Sequence, residues 1–590
     1  MRWKENNWIK FLEGYCKGNG QIQDEYVRKI ASALRLDEPL EIKFPWQEEI
    51  LQKFKDPNNL QVIILTGTAG DGKTRLCREI YQEVCGTSFS EESWNSKSYF
   101  SNELSTIVKD FSELKDEKSK VIGELIEVLK NGFATKQILI AVNDGVFIEA
   151  LDSYIDDANL ADHKKEAKLL KEIVEDKINI GISNCEKQGL INLINLSKLD
   201  AKENFKLIFK AILDNSGWNQ CKDCIGSIEN SCPIYSKYQI FKSRAETIEN
   251  LANIILLLQL NNQHFTIREL LNLVSNTLVS SIPKSKKYRI TDFEHSNSIF
   301  TCKTISTINE INKANIESSI EVGFWGLNLG PQKSLSKRPY SEINKLRFGD
   351  TSSNYWDSQI SKPEERHFTI PIDEFLRGSE KSAIYSESSK TWMPTLRRSR
   401  MQLYAFCKDN DEKLFHLQKY PSYGIYKEKI YNQLTAKKMC SDLKVKTSII
   451  LALNRAFHGR FISDKAGELF IPEKGQGSLV STTVFHGEEI REKYITIETL
   501  GNDFSLSGAR IEPIVKIFVD KQEVKVSLTV EVFDYLDQVS KGAPPNTADP
   551  RIYKKLCILR SKLASMIRPN RRIETYKISN GQFKIVPMEF

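Results

Sequence analysis

The chain has 590 residues, ordinary apolar and charged fractions of 40% and 27%, and a net charge of +7. That length exceeds a usual domain of about 100–200 residues several times over and predicts about three or four structural units, while the composition excludes a mainly disordered chain. No run of about 18 apolar residues occurs, the N-terminal MRWKENNWIKFLEGYC lacks the apolar core of a leader, and the 11 cysteines read mostly as scattered reduced thiols, so a cytoplasmic protein is expected. The positive charge is compatible with nucleic acid but does not establish it, since a few basic patches give the same sum.

Residues 1–45 read as an amphipathic helical segment. The turn cluster KDPNNLQ, from Lys55 to Gln61, then precedes the apolar run QVIILT, expected as a buried strand. Next come Gly67, Thr68, Ala69, Gly70, Asp71, Gly72, Lys73 and Thr74, a GxxxxGK[ST] pattern, followed by TRLCREIYQEVC at helical spacing. Strand before and helix after give that pattern its meaning as a phosphate loop. Its glycines let backbone N–H groups wrap phosphate oxygens, and the helix N-terminus adds positive dipole. ATP contact is therefore expected from Gly67 through Arg75, with Lys73 bridging the β and γ phosphates and Thr74 on Mg2+. Asp71, an acid beside the phosphates, is expected to turn outward and leave Gly70, Gly72 and Lys73 facing the nucleotide.

Further apolar runs, QILIAVND from Gln137 to Asp144, INIGISN from Ile178 to Asn184 and INLINLS from Ile191, alternate with helical segments. The alternation predicts an α/β, doubly wound P-loop NTPase of AAA+-like type. Such an enzyme needs an acid at the end of a neighbouring strand, and Asp144, with Asn143 before it, fits that place. Asn-Asp instead of Asp-Glu leaves no adjacent base; NDG as a plain strand-ending turn is the alternative. Asn184 ends the third run, where a polar residue senses the γ-phosphate or simply starts a turn. From Ile240 to Ser281 the pattern is that of a helical lid. Arg268, in HFTIRELLNLV, begins one lid helix, either reaching the nucleotide on closure or standing solvated. Gln47 in FPWQEEIL has a spacing used for adenine contact in some helicases, but without an acid-box partner it reads as a helix-start residue.

Cys221, Cys224 and Cys232 form a CxxC followed by a third cysteine in a turn-rich stretch. They suit a Zn2+ knuckle completed by His264 or Cys302, or else reduced cysteines packed under the lid. Residues 282 to about 380 show poor periodicity, and TWMPTLRRSRMQLYAFC onward to about Arg460 reads as mainly helical. There Arg397, Arg398 and Arg400 are candidates for DNA phosphate contacts or for an arginine finger offered in trans, against the alternative of a solvated basic helix face. From Ser478, LVSTTVF, YITIETL, IVKIFVD and EVKVSLT read as strands, with DKQE as a hairpin turn and a helix around Tyr553 to Met566. The expected division is 1–45 helical, 46–239 NTPase core, 240–345 lid and connector, 346–475 mainly helical, and 476–590 β-rich. His458 and His486 are isolated, and no paired acids stand ahead of an ExK, so a nuclease is not expected in this chain.

The residues LTGTAGDGKT, AVNDG, the CxxC followed by CPI, and FTIRELL occur in an order that resembles the ATPase component of phosphorothioation-dependent DNA restriction systems, the DptF type, and related P-loop ATPases of bacterial anti-phage defence. The resemblance covers roughly Phe44 to Ser281 and extends more weakly to LRRSRMQLYAF and FDYLDQVSKGAPP. It implies nucleotide contact at Gly67 to Thr74, a functional strand end at Asn143 and Asp144, and a cysteine element at Cys221, Cys224 and Cys232. It further implies partners: other defence subunits, a nuclease among them, acting with DNA.

Overall fold

In the computed structural model the described residues are 6–279 and 420–588, less short stretches that include 17–23, 157–162, 185–190, 225–232, 472–483, 501–506 and 567–572. The chain divides into two units. The first comprises Met1–Gln259, Gln263–Leu414 and Asp503–Arg510; the second comprises Leu260–Asn262, Phe415–Asn502 and Ile511–Phe590. Each unit is assembled from separated stretches of chain.

The first unit is built on β1 (Val62–Thr66), β2 (Tyr99–Ser101), β3 (Ser105–Val108), β4 (Gln137–Ala141), β5 (Ile182–Asn184) and β6 (Ile191–Asn195) in the order β2-β3-β4-β1-β6-β5. β3, β4, β1 and β6 run parallel, and β2 and β5 are antiparallel edges. Every residue of the four parallel strands is buried. That is why they appear as apolar runs rather than alternating patterns: helices cover both faces of a parallel sheet.

The helices of the core are α1 (Asn7–Cys16), α2 (Asp24–Ala33), α3 (Pro45–Lys55), α4 (Lys73–Cys85), α5 (Glu91–Ser96), α6 (Glu117–Asn131), α7 (Asp144–Asp156), α8 (Lys164–Ile180) and α9 (Ala201–Asp214). Val62 and Ile64 of β1 share one core with Val121 and Leu125 of α6, Phe147 and Leu151 of α7, and Leu170 of α8. Beyond α9, helices Ala245–Leu260 and Ile267–Leu278 form the helical layer expected as a lid, the second packing on α9 and α1. The Ile267–Leu278 helix starts with a capping box, in which Thr266 Oγ1 accepts from Glu269 N and the Glu269 carboxylate accepts from Thr266 N. Such a reciprocal pair fixes where a helix begins.

The third apolar run departs from its expectation. α8 extends through Ile180, and only Ile182–Asn184 is extended, as the antiparallel edge β5. A short apolar stretch does not by itself distinguish a helix end from a strand.

In the second unit, β7 (Met439–Cys440), β11 (Ile495–Thr499), β12 (Pro513–Val519) and β13 (Gln522–Ser527) make an antiparallel sheet ordered β13-β12-β11-β7. Smaller sheets join β8 (Glu468–Leu469) to β10 (Ile490–Arg491) and β9 (Val484–His486) to β14 (Ile573–Ser579) and β15 (Gln582–Met588). The β12–β13 turn falls at the expected place, with Asp520 at φ +52°. The chain does not end on the expected helix: Pro550–Met566 is followed by the β14–β15 hairpin. A helix at Val530–Ser540 completes the unit, N-capped by Thr529.

Candidate functional site

β1 delivers the chain into a loop whose backbone only glycine adopts without strain at three points, Gly67, Gly70 and Gly72, with φ of +129°, +102° and +95°. At Gly67 a Cβ would also stand 2.7 Å from Asp71 Oδ2 and 3.3 Å from the Ser197 nitrogen, so loop and β6 end are in direct contact there. At Gly70 a Cβ would meet Arg268 Cβ at 3.2 Å, so the lid helix start leaves no room for a side chain. Gly72 caps α4, whose first residue is Lys73. The Lys73 ammonium donates to the carbonyls of Gly67 at 2.7 Å and Thr68 at 2.9 Å, folded over the loop it serves. Thr68, Ala69 and Thr74 are exposed. Arg75 differs: its guanidinium donates to Glu79 and to the Ile42 carbonyl, which leaves only its backbone for phosphates.

Asp71 corrects an expectation. It does not turn outward to solvent but is 2% exposed, with Oδ2 accepting from Thr68 N at 2.6 Å and Oδ1 bonded to His264 Nε2 at 2.9 Å. His264 also lies 3.1 Å from Thr68 Oγ1. The acid therefore braces the loop from within, and the segment before the lid helix holds it there. His264 thus serves the phosphate loop, and among the described residues it forms no metal-holding group with Cys221 and Cys224. Arg268 follows in the same segment: its backbone N–H donates to Gly70 O at 3.2 Å, and burial lowers its guanidinium pKa. The structure thus sets Arg268 against the loop.

The register places the strand ends. Leu65 pairs with Ala141 and Thr66 with Asn195, so β1, β4 and β6 end level beside the loop. Asn143 and Asp144 follow β4 directly; Asn143 is exposed, and Asp144 opens α7 with one buried oxygen, Oδ1, that has no hydrogen-bond partner within the protein. The buried Thr66 hydroxyl is in the same condition. Asn184 lies elsewhere: it pairs with Asn192, which sits opposite Ile63, so its backbone is toward the far end of the sheet and two strands from β1. It is not a neighbour of the phosphate loop.

One acid escaped sequence reasoning. Asp110 stands two residues past β3, the strand beyond β4, and caps a short 3-10 turn by accepting from Ser112 N at 2.9 Å. Burial lowers the Lys73 pKa, and the charges of Asp71, Asp144 and Asp110 act against that shift, which makes Asp110 a third acid within electrostatic reach of the lysine. Its only signal was TIVKD, too short and too flanked by polar residues to be taken as a strand. These groups fit a nucleotide with magnesium: positive-φ glycines and a helix N-terminus for phosphate, and the hard oxygens of Thr74, Asp144 and Asp110 for the metal.

Cys221 ends a 3-10 turn and Cys224 follows three residues later; both are buried, and Cys221 Sγ accepts from Asn6 Nδ2, just before α1. Cys232 lies outside the described residues, as do Cys302, Arg397, Arg398 and Arg400. Among the described residues no group of three or more His, Cys, Asp or Glu side chains could hold a metal ion. Gln47 is buried in the first turn of α3, and the neighbouring Trp46 Nε1 donates to Asn204. His458 is packed, its Nε2 3.1 Å from the Phe470 carbonyl. No helix among the described residues is long and apolar enough to cross a membrane.

No curated protein and no solved structure matches the chain significantly. Residues 46–170, which carry β1, the phosphate loop, β3, Asp110, β4 and Asp144, match the NB-ARC domain family, and this region is a nucleotide-binding P-loop NTPase domain.

Proposed function

We propose that the chain binds ATP with Mg2+ at Gly67–Thr74 and hydrolyses it, and that its nucleotide state is passed to a partner nuclease or DNA-bound subunit in a bacterial anti-phage DNA restriction system. The observation that carries the hydrolytic part is that three acids lie within electrostatic reach of Lys73: Asp144 and Asp110, following neighbouring strands, accompany the loop Asp71. In this reading phosphate oxygens take over the lysine's contacts with Gly67 and Thr68. Thr74, Asp144 and Asp110 hold the magnesium, whose charge supports phosphoryl transfer. Asn143, exposed at the end of the strand beside β1, orients the attacking water or the terminal phosphate. Arg268 belongs to the lid side of the same site.

The defence role rests on the sequence resemblance; within this reading Arg397, Arg398 and Arg400 contact DNA phosphates or serve as an arginine finger offered to a neighbouring subunit. The absence of a second acid directly after Asp144 favours one alternative, a nucleotide-bound scaffold that does not turn over.

Phosphate release from the purified full chain, alone and with DNA, separates the two. Turnover above that of Asp144→Ala supports the enzyme; equal release in every condition supports the scaffold. Loss of phage protection in Lys73→Ala at normal protein level is the expected cellular result, and retained protection would refute the defence role of the nucleotide.

A further inference from the structure

The hairpin β11–β12 has an unusual loop. Thr499 pairs with Pro513 at its base, yet Asp503–Arg510 within it belong to the first unit. There the described residues Ser507–Arg510 lie along the chain leaving β6. Gly508 O accepts from Asp200 N at 2.6 Å, Ala509 forms an antiparallel bridge with Leu199, and Arg510 N donates to Lys198 O at 2.9 Å. Ser507 N donates to the Glu49 carboxylate, and Gly508 backs onto Trp46. Three successive backbone contacts fix the register, so Arg510 is set opposite Lys198 rather than merely near it.

Lys198 closes the 3-10 turn Leu196–Lys198 that follows β6. The start of that turn is the part touching Gly67, where the Ser197 nitrogen lies 3.3 Å from a Gly67 Cβ position. The turn thus lies past the C-terminal edge of the strand beside β1, the edge at which open α/β sheets bind their ligands. Arg510 is 9% exposed and Lys198 is half-buried. The backbone pairing sets the two cations opposite each other, and Asp144 acts electrostatically on Lys198 and Asp200 on Arg510. Burial pushes Lys198 down to about 8, and the neighbouring guanidinium pushes the same way. Arg510 is pushed by burial down to about 10. Burial penalises both charged forms, and an anion entering beside them would offset that penalty.

We propose that Arg510, carried on the β11–β12 loop, and Lys198 bind the terminal phosphate of the nucleotide and so distinguish the triphosphate from the diphosphate. This rests on nucleotide binding at the phosphate loop and adds to it a specificity-determining pair from outside the matched family region. The hairpin loop is then seated more firmly with triphosphate than with diphosphate, and the strands that carry it are covalently continuous with that difference.

Calorimetric titration of the full chain with Mg2+ and either ADP or a non-hydrolysable ATP analogue tests this. Arg510→Gln and Lys198→Gln are expected to lose about 10-fold or more in affinity for the triphosphate analogue and at most about 2-fold for ADP, whereas Arg510→Lys keeps part of the preference. Equal losses for both nucleotides, or none, overturn the proposal. Hydrogen exchange of the wild-type chain gives a second measurement that needs no variant to fold: Ser507–Arg510 amides are expected to be more protected with the triphosphate analogue than with ADP, and equal protection overturns it. Wild-type protein that binds neither nucleotide would refute nucleotide binding itself, a result distinct from failure of the pair.

Discussion

Two loops converge on the end of β6, and they are built by opposite means. The phosphate loop is local: eight consecutive residues, three of them glycines at positive φ, shape a cradle whose chemistry lies mostly in the backbone. The Ser507–Arg510 loop is borrowed from a hairpin of the second unit, is held by backbone pairing to Lys198–Asp200, and contributes a side-chain charge. A backbone cradle recognises phosphates common to every nucleotide. A buried guanidinium set beside a lysine discriminates by the number of charges presented.

Lys73→Ala should have the largest effect, lowering phosphate release by about 100-fold or more through loss of transition-state charge stabilisation, measured at saturating nucleotide. Asp110→Asn and Asp144→Asn should each lower turnover by about 100-fold while leaving nucleotide affinity within a few-fold; unchanged turnover in Asp110→Asn would return the metal role to Asp144 alone. Gly67→Ala adds a side chain at φ +129° where Asp71 Oδ2 would stand 2.7 Å away. It should weaken both ADP and ATP-analogue binding by about 10-fold, equally, because strain of about 1–3 kcal/mol falls on the shared cradle. Unequal losses would break the contrast between the two loops.

His264→Ala leaves the buried Asp71 with fewer partners and should cost about 1–2 kcal/mol locally, read as faster amide exchange at Gly67–Gly72. The smallest effect belongs to Lys198. The folded protein holds its proton less tightly than the unfolded chain, with a value of about 8 against 10.5. Between those values the unfolded chain therefore binds more protons and stability rises with pH; below about pH 8 the full cost of the buried charge remains. Nucleotide-free Lys198→Gln should accordingly melt slightly higher than the parent at pH 7, a difference that shrinks toward pH 10; thermal scans at the two pH values check it. A gain in stability from removing a side chain is the mark of a residue kept for binding.

The legible parts of the fold were those in which chemistry and local geometry coincide. LTGTAGDGKT declared itself because strand, glycines and helix start lie in one stretch, and QILIAVND because all five residues of β4 are buried. Asp110 was hidden because β3 owes its burial to β4 and β2 rather than to a long apolar run. Asn184 looked like a strand end near the site, but register decided otherwise, and register is a property of partners. Asp71 was misjudged for a related reason: the histidine that holds it inward is 193 residues away. Nothing in GAR, Gly508 to Arg510, marks a loop that will pair with the residues after β6.

That pairing also orders events during synthesis. The core strands, the phosphate loop and Lys198 all leave the ribosome about 300 residues before Gly508 to Arg510 do. At about 5–20 residues per second, the nucleotide unit must wait roughly 15–60 s for its last piece. A growing chain can close the cradle early, while the pair opposite it is assembled only when about half of the second unit has also been made.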